Sequence, residues 1–148
     1  MNLSIHPDLF PSLLAALTYA GTERGGILGG TADGTVLRFY ADHPRCSAPD
    51  RYEPNTAELN DVLARWHEEG LVFLGMVHSH PASFPRLSYP DTLYAREILR
   101  ANDQLEEMYF GVTQALAGRL RLLMFRMERC ADGSCRLSKT PEILEIRA

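Results

Sequence analysis

A chain of 148 residues is long enough to bury a core as one domain over 1–148, and its 45% hydrophobic and 23% charged content argues against wholesale disorder. The net charge of -4, with no strongly basic stretch, argues against a nucleic-acid partner. No apolar run approaches the ~20 residues of a membrane span, and the N-terminal stretch, with Asp8 and two prolines, lacks a secretory pattern, so a cytoplasmic protein without a membrane partner is expected.

In chain order, Leu9, Phe10, Leu13, Leu14 and Leu17 have helical spacing, which predicts an amphipathic helix over His6 to Ala20, closed by Gly21. Gly25 to Thr31 and Val36 to Tyr40 read as a hairpin around an Ala-Asp-Gly turn. His43 to Pro54 reads as a polar loop that contains Cys46. Asn55 or Thr56 caps a second helix with Leu59, Val62, Leu63 and Trp66 on its inner face, and Gly70 ends it. Leu71 to Val77 is a nearly continuous apolar run, as in a strand buried on both faces. A proline loop precedes a third helix from about Tyr89 to Ala101. Met108 to Thr113, Arg119 to Met127 and Ile143 to Ile146 read as strands, with a turn at Asp132-Gly133. The order predicts an α/β fold, a mixed sheet with helices packed against it.

The chemistry concentrates in Met76-Val77-His78-Ser79-His80-Pro81 and Ser88-Tyr89-Pro90-Asp91. His78 and His80 stand at i and i+2 at the end of a predicted strand, so their side chains share a face. The ten residues between His80 and Asp91 let the chain turn back and present Asp91 from the next helix. Two histidines, one carboxylate and an open position for water make a catalytic zinc site, whereas a structural site is usually closed by a fourth protein ligand. Each half has a plainer reading alone. Ser88-x-x-Asp91 is also a helix capping box, and His-Ser-His is also a pair that backbone groups can satisfy. The joint pattern favours the metal.

These segments resemble the signature of the JAMM (MPN+) metallopeptidases: an upstream Glu, then His-Ser/Thr-His-Pro, seven residues, Ser, two residues and Asp. Thr22-Glu23-Arg24-Gly25-Gly26-Ile27-Leu28-Gly29-Gly30 is similar to the family's Glu-x-x-Gly-Ile/Leu-Leu-x-Gly segment and makes Glu23 the upstream match. The resemblance runs over roughly Glu23 to Met127, in element order as well as motif. It implies an MPN domain, a mixed central sheet flanked by helices with cytidine-deaminase-like layering. It further implies Zn²⁺ on His78, His80 and Asp91, with one bound catalytic water. Glu23 is then the general acid–base and Ser88 the donor to the oxyanion. Ser79, between the two histidines, should point away from the metal.

By the same resemblance, the activity is hydrolysis of the amide bond after the C-terminus of a ubiquitin-like protein, by deconjugation or precursor processing. The compact chain looks like a prokaryotic stand-alone member, with activating and conjugating enzymes of one pathway as further partners. Two alternatives stay open: release of an amino acid from a sulfur-carrier protein, and a non-catalytic MPN scaffold. Zincin, nucleobase-deaminase and P-loop motifs are absent from the sequence. Glycines 25, 26, 29 and 30 read instead as places where backbone or a substrate strand approaches closely. His6, His43 and His67 look bland, and Glu53 and Glu58 lack the context of Glu23. Cys130 and Cys135 flank a turn and could pair if oxidised.

Overall fold

A computed structural model describes residues 2–48 and 51–148. The elements are β1 (Ser4–Ile5), a 3-10 turn (Pro7–Leu9), α1 (Phe10–Leu17), β2 (Gly25–Gly30), β3 (Thr35–Ala41), β4 (Cys46–Ala48), β5 (Arg51–Glu53), α2 (Thr56–Glu68), β6 (Val72–Ser79), α3 (Tyr89–Ala101), β7 (Glu107–Leu116), β8 (Arg119–Arg129), β9 (Cys135–Leu137) and β10 (Glu142–Arg147). The main sheet runs β1-β3-β2-β6-β7-β8-β10, with β9 attached to β8. β6 and β7 are parallel, as are β1 and β3; the other neighbours in this sheet are antiparallel. Parallel neighbours need a crossover, and α3 lies in the one from β6 to β7. The end of β6 and the start of α3 are thereby brought to one end of the sheet.

The long N-terminal helix expected from periodicity divides in two. Pro11 has no N–H to give, so it is tolerated only in a first turn; the α-helix starts anew at Phe10, after the 3-10 turn. The helix ends at Leu17, and Gly21 takes its positive φ of 94° in the turn beyond. The expected polar loop His43 to Pro54 contains the short β4–β5 hairpin, so Cys46 stands in a strand. α3 has the expected bounds because two signals fix its start: Pro90 in the first turn, and a capping box in which Ser88 Oγ accepts from Asp91 N and Asp91 accepts from Ser88 N. Among the described residues no helix is long and apolar enough to cross a membrane.

The sheet carries a core on each face. α1 covers one, with Leu13 and Leu17 packed on Leu28, Val36, Leu120 and Leu122. α2 and α3 cover the other, with Leu59, Val62, Trp66, Ala95 and Leu99 packed on Ile27, Met76, Met108 and Phe110. β6 faces both. Leu28 pairs with Gly75 but Gly29 with Phe73, so Leu74 is an extra residue in β6. This bulge turns Leu74 and Val77 toward α1, and Phe73 and Met76 toward α2 and α3.

The β2 glycines serve internal contacts, not an incoming strand. β2 is hydrogen-bonded on both sides, to β3 and β6, and offers no free edge. A Cβ on Gly29 would lie 2.5 Å from the Trp66 ring, and one on Gly26 only 2.2 Å from the Tyr40 carbonyl oxygen. The close approach expected at these glycines is therefore to Trp66 and the neighbouring strand.

Candidate metal centre

The two histidines stand at the C-terminal end of β6. His78 is the eighth residue's neighbour at the strand end and His80 follows just past it; both are buried, at 2% and 3% exposure. Their Nε2 atoms lie 2.9 Å apart. Glu23 precedes β2, which pairs with β6 through Gly25 opposite His78. Its Oε1 is 3.6 Å from His78 Nε2 and 3.4 Å from His80 Nε2. Asp91 comes from the first turn of α3, with Oδ1 3.2 Å from His78 Nε2 and Oδ2 3.4 Å from His80 Nε2. Glu23, His78 and His80 can each offer a donor atom such that all lie within 4.8 Å of one another. Asp91 meets the same two ring nitrogens, so the two histidines and two carboxylates of the expected site come together.

Ser88, the fifth, stands next to them as the N-cap of α3. Its Oγ accepts from Asp91 N at 3.2 Å, so it serves the cap. A hydroxyl that accepts in this way still has its own O–H to donate.

Further contacts orient these groups. His80 Nδ1 is 3.1 Å from the Phe84 carbonyl oxygen; as the donor there, Nδ1 leaves Nε2 with a free lone pair directed at the cluster. The Phe84 ring lies against His80, with centroids 5.5 Å apart, and Arg86 covers the Phe84 ring at 4.7 Å. Ser79 is fully buried and clips the lead-in to β2: its Oγ accepts from Arg24 N at 2.9 Å, and its N donates to Arg24 O at 2.6 Å. Glu23 is the residue next to that clip.

The electrostatics follow from burial and mutual contact. Burial pulls the His80 imidazole down, but hydrogen bonds and charge from Asp91 and Glu23 outweigh it and raise it to about 9. Burial pushes the Asp91 carboxyl up, yet the hydrogen bonds of His78 and His80 hold it well below the usual carboxylate range. Two ring nitrogens 2.9 Å apart repel unless a proton or a cation stands between them. Two imidazoles and carboxylates form a mixed nitrogen and oxygen donor set, which suits a borderline divalent ion. The residues present therefore fit a metal.

Other candidates fall elsewhere. His6 caps the 3-10 turn by accepting from Asp8 N, His43 contacts Glu58, and His67 is exposed on α2. Glu58 also accepts from Tyr40 Oη at 2.5 Å and is occupied there. Cys130 and Cys135 are free and half-buried. The sequence reading missed the Phe84 carbonyl, which any residue could supply. It also missed the surroundings of Tyr94 and Phe110, whose apolar spacing reads only as core.

The chain has counterparts among known proteins. The family model described as prokaryotic homologs of the JAB domain matches residues 13–124. Among solved structures, the chain is similar to the protein DSY2949 of Desulfitobacterium hafniense, determined in solution. The TM-score is 0.61 at 20% identity, over 93% of this chain and 90% of that one, a likeness of fold. No curated protein matches.

Proposed function

Because the chain belongs to the prokaryotic homologs of the JAB domain, we propose that it is a JAMM-type zinc metallopeptidase. Its substrate in this reading is the amide bond that follows the C-terminus of a ubiquitin-like protein, cut in deconjugation or precursor processing in the cytoplasm. The observation that carries the reading is the convergence of two buried imidazoles and two carboxylates on one point.

His78, His80 and Asp91 would hold the ion. When bound, Zn²⁺ supplies Lewis-acid polarisation of a carbonyl and lowers the pKa of water to about 7. Glu23, 5% exposed and beside both rings, would take the proton of the attacking water and return it to the leaving amine. The Ser88 hydroxyl, anchored as the α3 cap, would donate to the oxygen on which negative charge develops. The Phe84 carbonyl would keep His80 in the tautomer that presents Nε2.

Elemental analysis of the purified protein, beside His78→Ala and Asp91→Ala, tests the site. The expected result is about one zinc per chain in the wild type, lost in both variants. Cleavage of ubiquitin-like C-terminal fusions, abolished in Glu23→Gln with zinc retained, is then expected. A wild type that takes up no metal when zinc is supplied overturns the peptidase reading and leaves a scaffold.

A further inference from the structure

Beside the metal centre, a cavity of about 350 Å³ opens between the end of β5, β6, α3 and β7. Its floor is Met76 and Phe110, both buried, and Tyr94 forms a wall with its ring edge-on to Phe110 at 6.1 Å between centroids. Pro54 and Pro90 line it from the α2 and α3 starts, with half-buried Glu53 beside them. His78 and Asp91 also line it, so the cavity and the metal centre share a wall. Resting on the peptidase reading above, we propose that this cavity is a specificity pocket for a large apolar side chain, leucine or phenylalanine, on the amine side of the scissile amide.

Three features select that occupant. The walls are two aromatic rings, a thioether and two prolines, which favour apolar and aromatic groups over hydrated ones. Burial lifts the Tyr94 hydroxyl to about 12, so it stays neutral and adds no charge to attract an ion. His78 and Asp91 face each other in the metal centre, which leaves Glu53 as the one carboxylate outside it among the described lining residues. The side of the bond follows from the substrate class. In the peptidase reading the residues before the cleaved bond are the modifier's own tail, common to all its conjugates, so a pocket that discriminates between side chains acts on the leaving segment.

The pocket can be read without turnover. Met76 carries an ε-methyl group in the floor, and Met124 lies on the opposite face of the sheet as an internal control. The full-length, zinc-loaded protein, ¹³C-labelled at the methionine methyls, is titrated with leucinamide, phenylalaninamide, glycinamide and aspartamide. The Met76 signal should shift with the first two at concentrations at least ~10-fold lower than with the others, and Met124 should stay still. Pro54→Trp, which puts a large ring at the cavity, should remove that difference. Equal responses to all four amides, or none at Met76, overturn the pocket.

A matching series of modifier fusions, with Leu, Phe, Gly or Asp after the cleaved bond, separates the two ideas. A preference of about 10-fold or more in kcat/KM for Leu and Phe supports the pocket. Equal cleavage of all four leaves the peptidase reading standing and removes the pocket. Selective Met76 shifts with no fusion cut leave an apolar ligand cavity, but remove the peptidase reading and with it the assignment to the amine side.

Discussion

On the α1 side of the sheet, Leu13, Leu17, Leu120 and Leu122 are fully buried, and two polar side chains there have defined partners. The Thr113 hydroxyl donates to the Leu17 carbonyl at 2.9 Å, and Tyr109 Oη donates to Glu142 at 2.5 Å. On the α2/α3 side the same strands carry an apolar core that stops short. Beyond Met76 and Phe110 it gives way to a cavity and to two carboxylates gathered around two ring nitrogens. β6 contributes to both faces, with Val77 and Ser79 on one side and Met76 and His78 on the other. Burying charges without strong compensation is costly. Both faces carry a buried core, but only the α2/α3 face also buries a cluster of ionisable groups, the candidate metal centre, at a cost in stability.

The largest test of that division is Leu122→Ala, which removes a fully buried side chain from the α1 face. A loss of about 2–5 kcal/mol is expected from chemical denaturation, with zinc uptake per folded chain unchanged. Loss of zinc binding from the folded fraction would show that the faces are not separable. Next comes Gly29→Ala, at the closed end of the α2/α3 face. Its Cβ would stand 2.5 Å from Trp66, and displacing that ring should cost about 1–3 kcal/mol. A neutral outcome would mean that α2 shifts freely, and the two faces would then differ in rigidity as well as chemistry.

The same contrast decides how much was legible in the sequence. The bounds of α3 were readable because Ser88, Pro90 and Asp91 each act locally at a helix start. The gathering of Glu23, His78, His80 and Asp91 was readable only through the family motif; spacing alone put the histidines on one face. β6 runs two residues past the apolar stretch, since His78 and Ser79 are polar yet buried there. β1 and β9, at two and three residues, are too short to show a period. The β2 glycines were misread in part, because nothing local reveals that Trp66, far along the chain, lies over Gly29. Contacts made through backbone atoms, such as Phe84 O on His80, leave no trace in residue identity.

Ser79 sharpens the comparison from within β6. It belongs to the α1-facing register, yet its hydroxyl holds Arg24 N, next to Glu23. Ser79→Ala leaves that amide without its acceptor and should cost on the order of 1 kcal/mol. If the clip positions Glu23, cleavage should fall on the order of 10-fold while zinc stoichiometry stays the same. A loss of stability without a loss of rate would make Ser79 a core residue only.

The smallest expected effect is a pH dependence on the closed face. Burial raises the Tyr109 hydroxyl first, and its hydrogen bond to Glu142 raises it further. A folded-state value above the ordinary one of about 10 means that the stabilisation is complete below that pH. It is lost as pH rises through the folded value, because the folded state resists releasing the proton that the unfolded chain gives up. Unfolding free energy measured at pH 9, 10 and 11 should therefore fall at the alkaline end, and Tyr109→Phe should flatten the fall. Glu142 would keep its second partner, Leu3 N at 2.9 Å, so the variant should remain folded at neutral pH. An unchanged slope in Tyr109→Phe would move the alkaline sensitivity to the other face, where Tyr94 is also raised by burial, and would remove Tyr109 as its source.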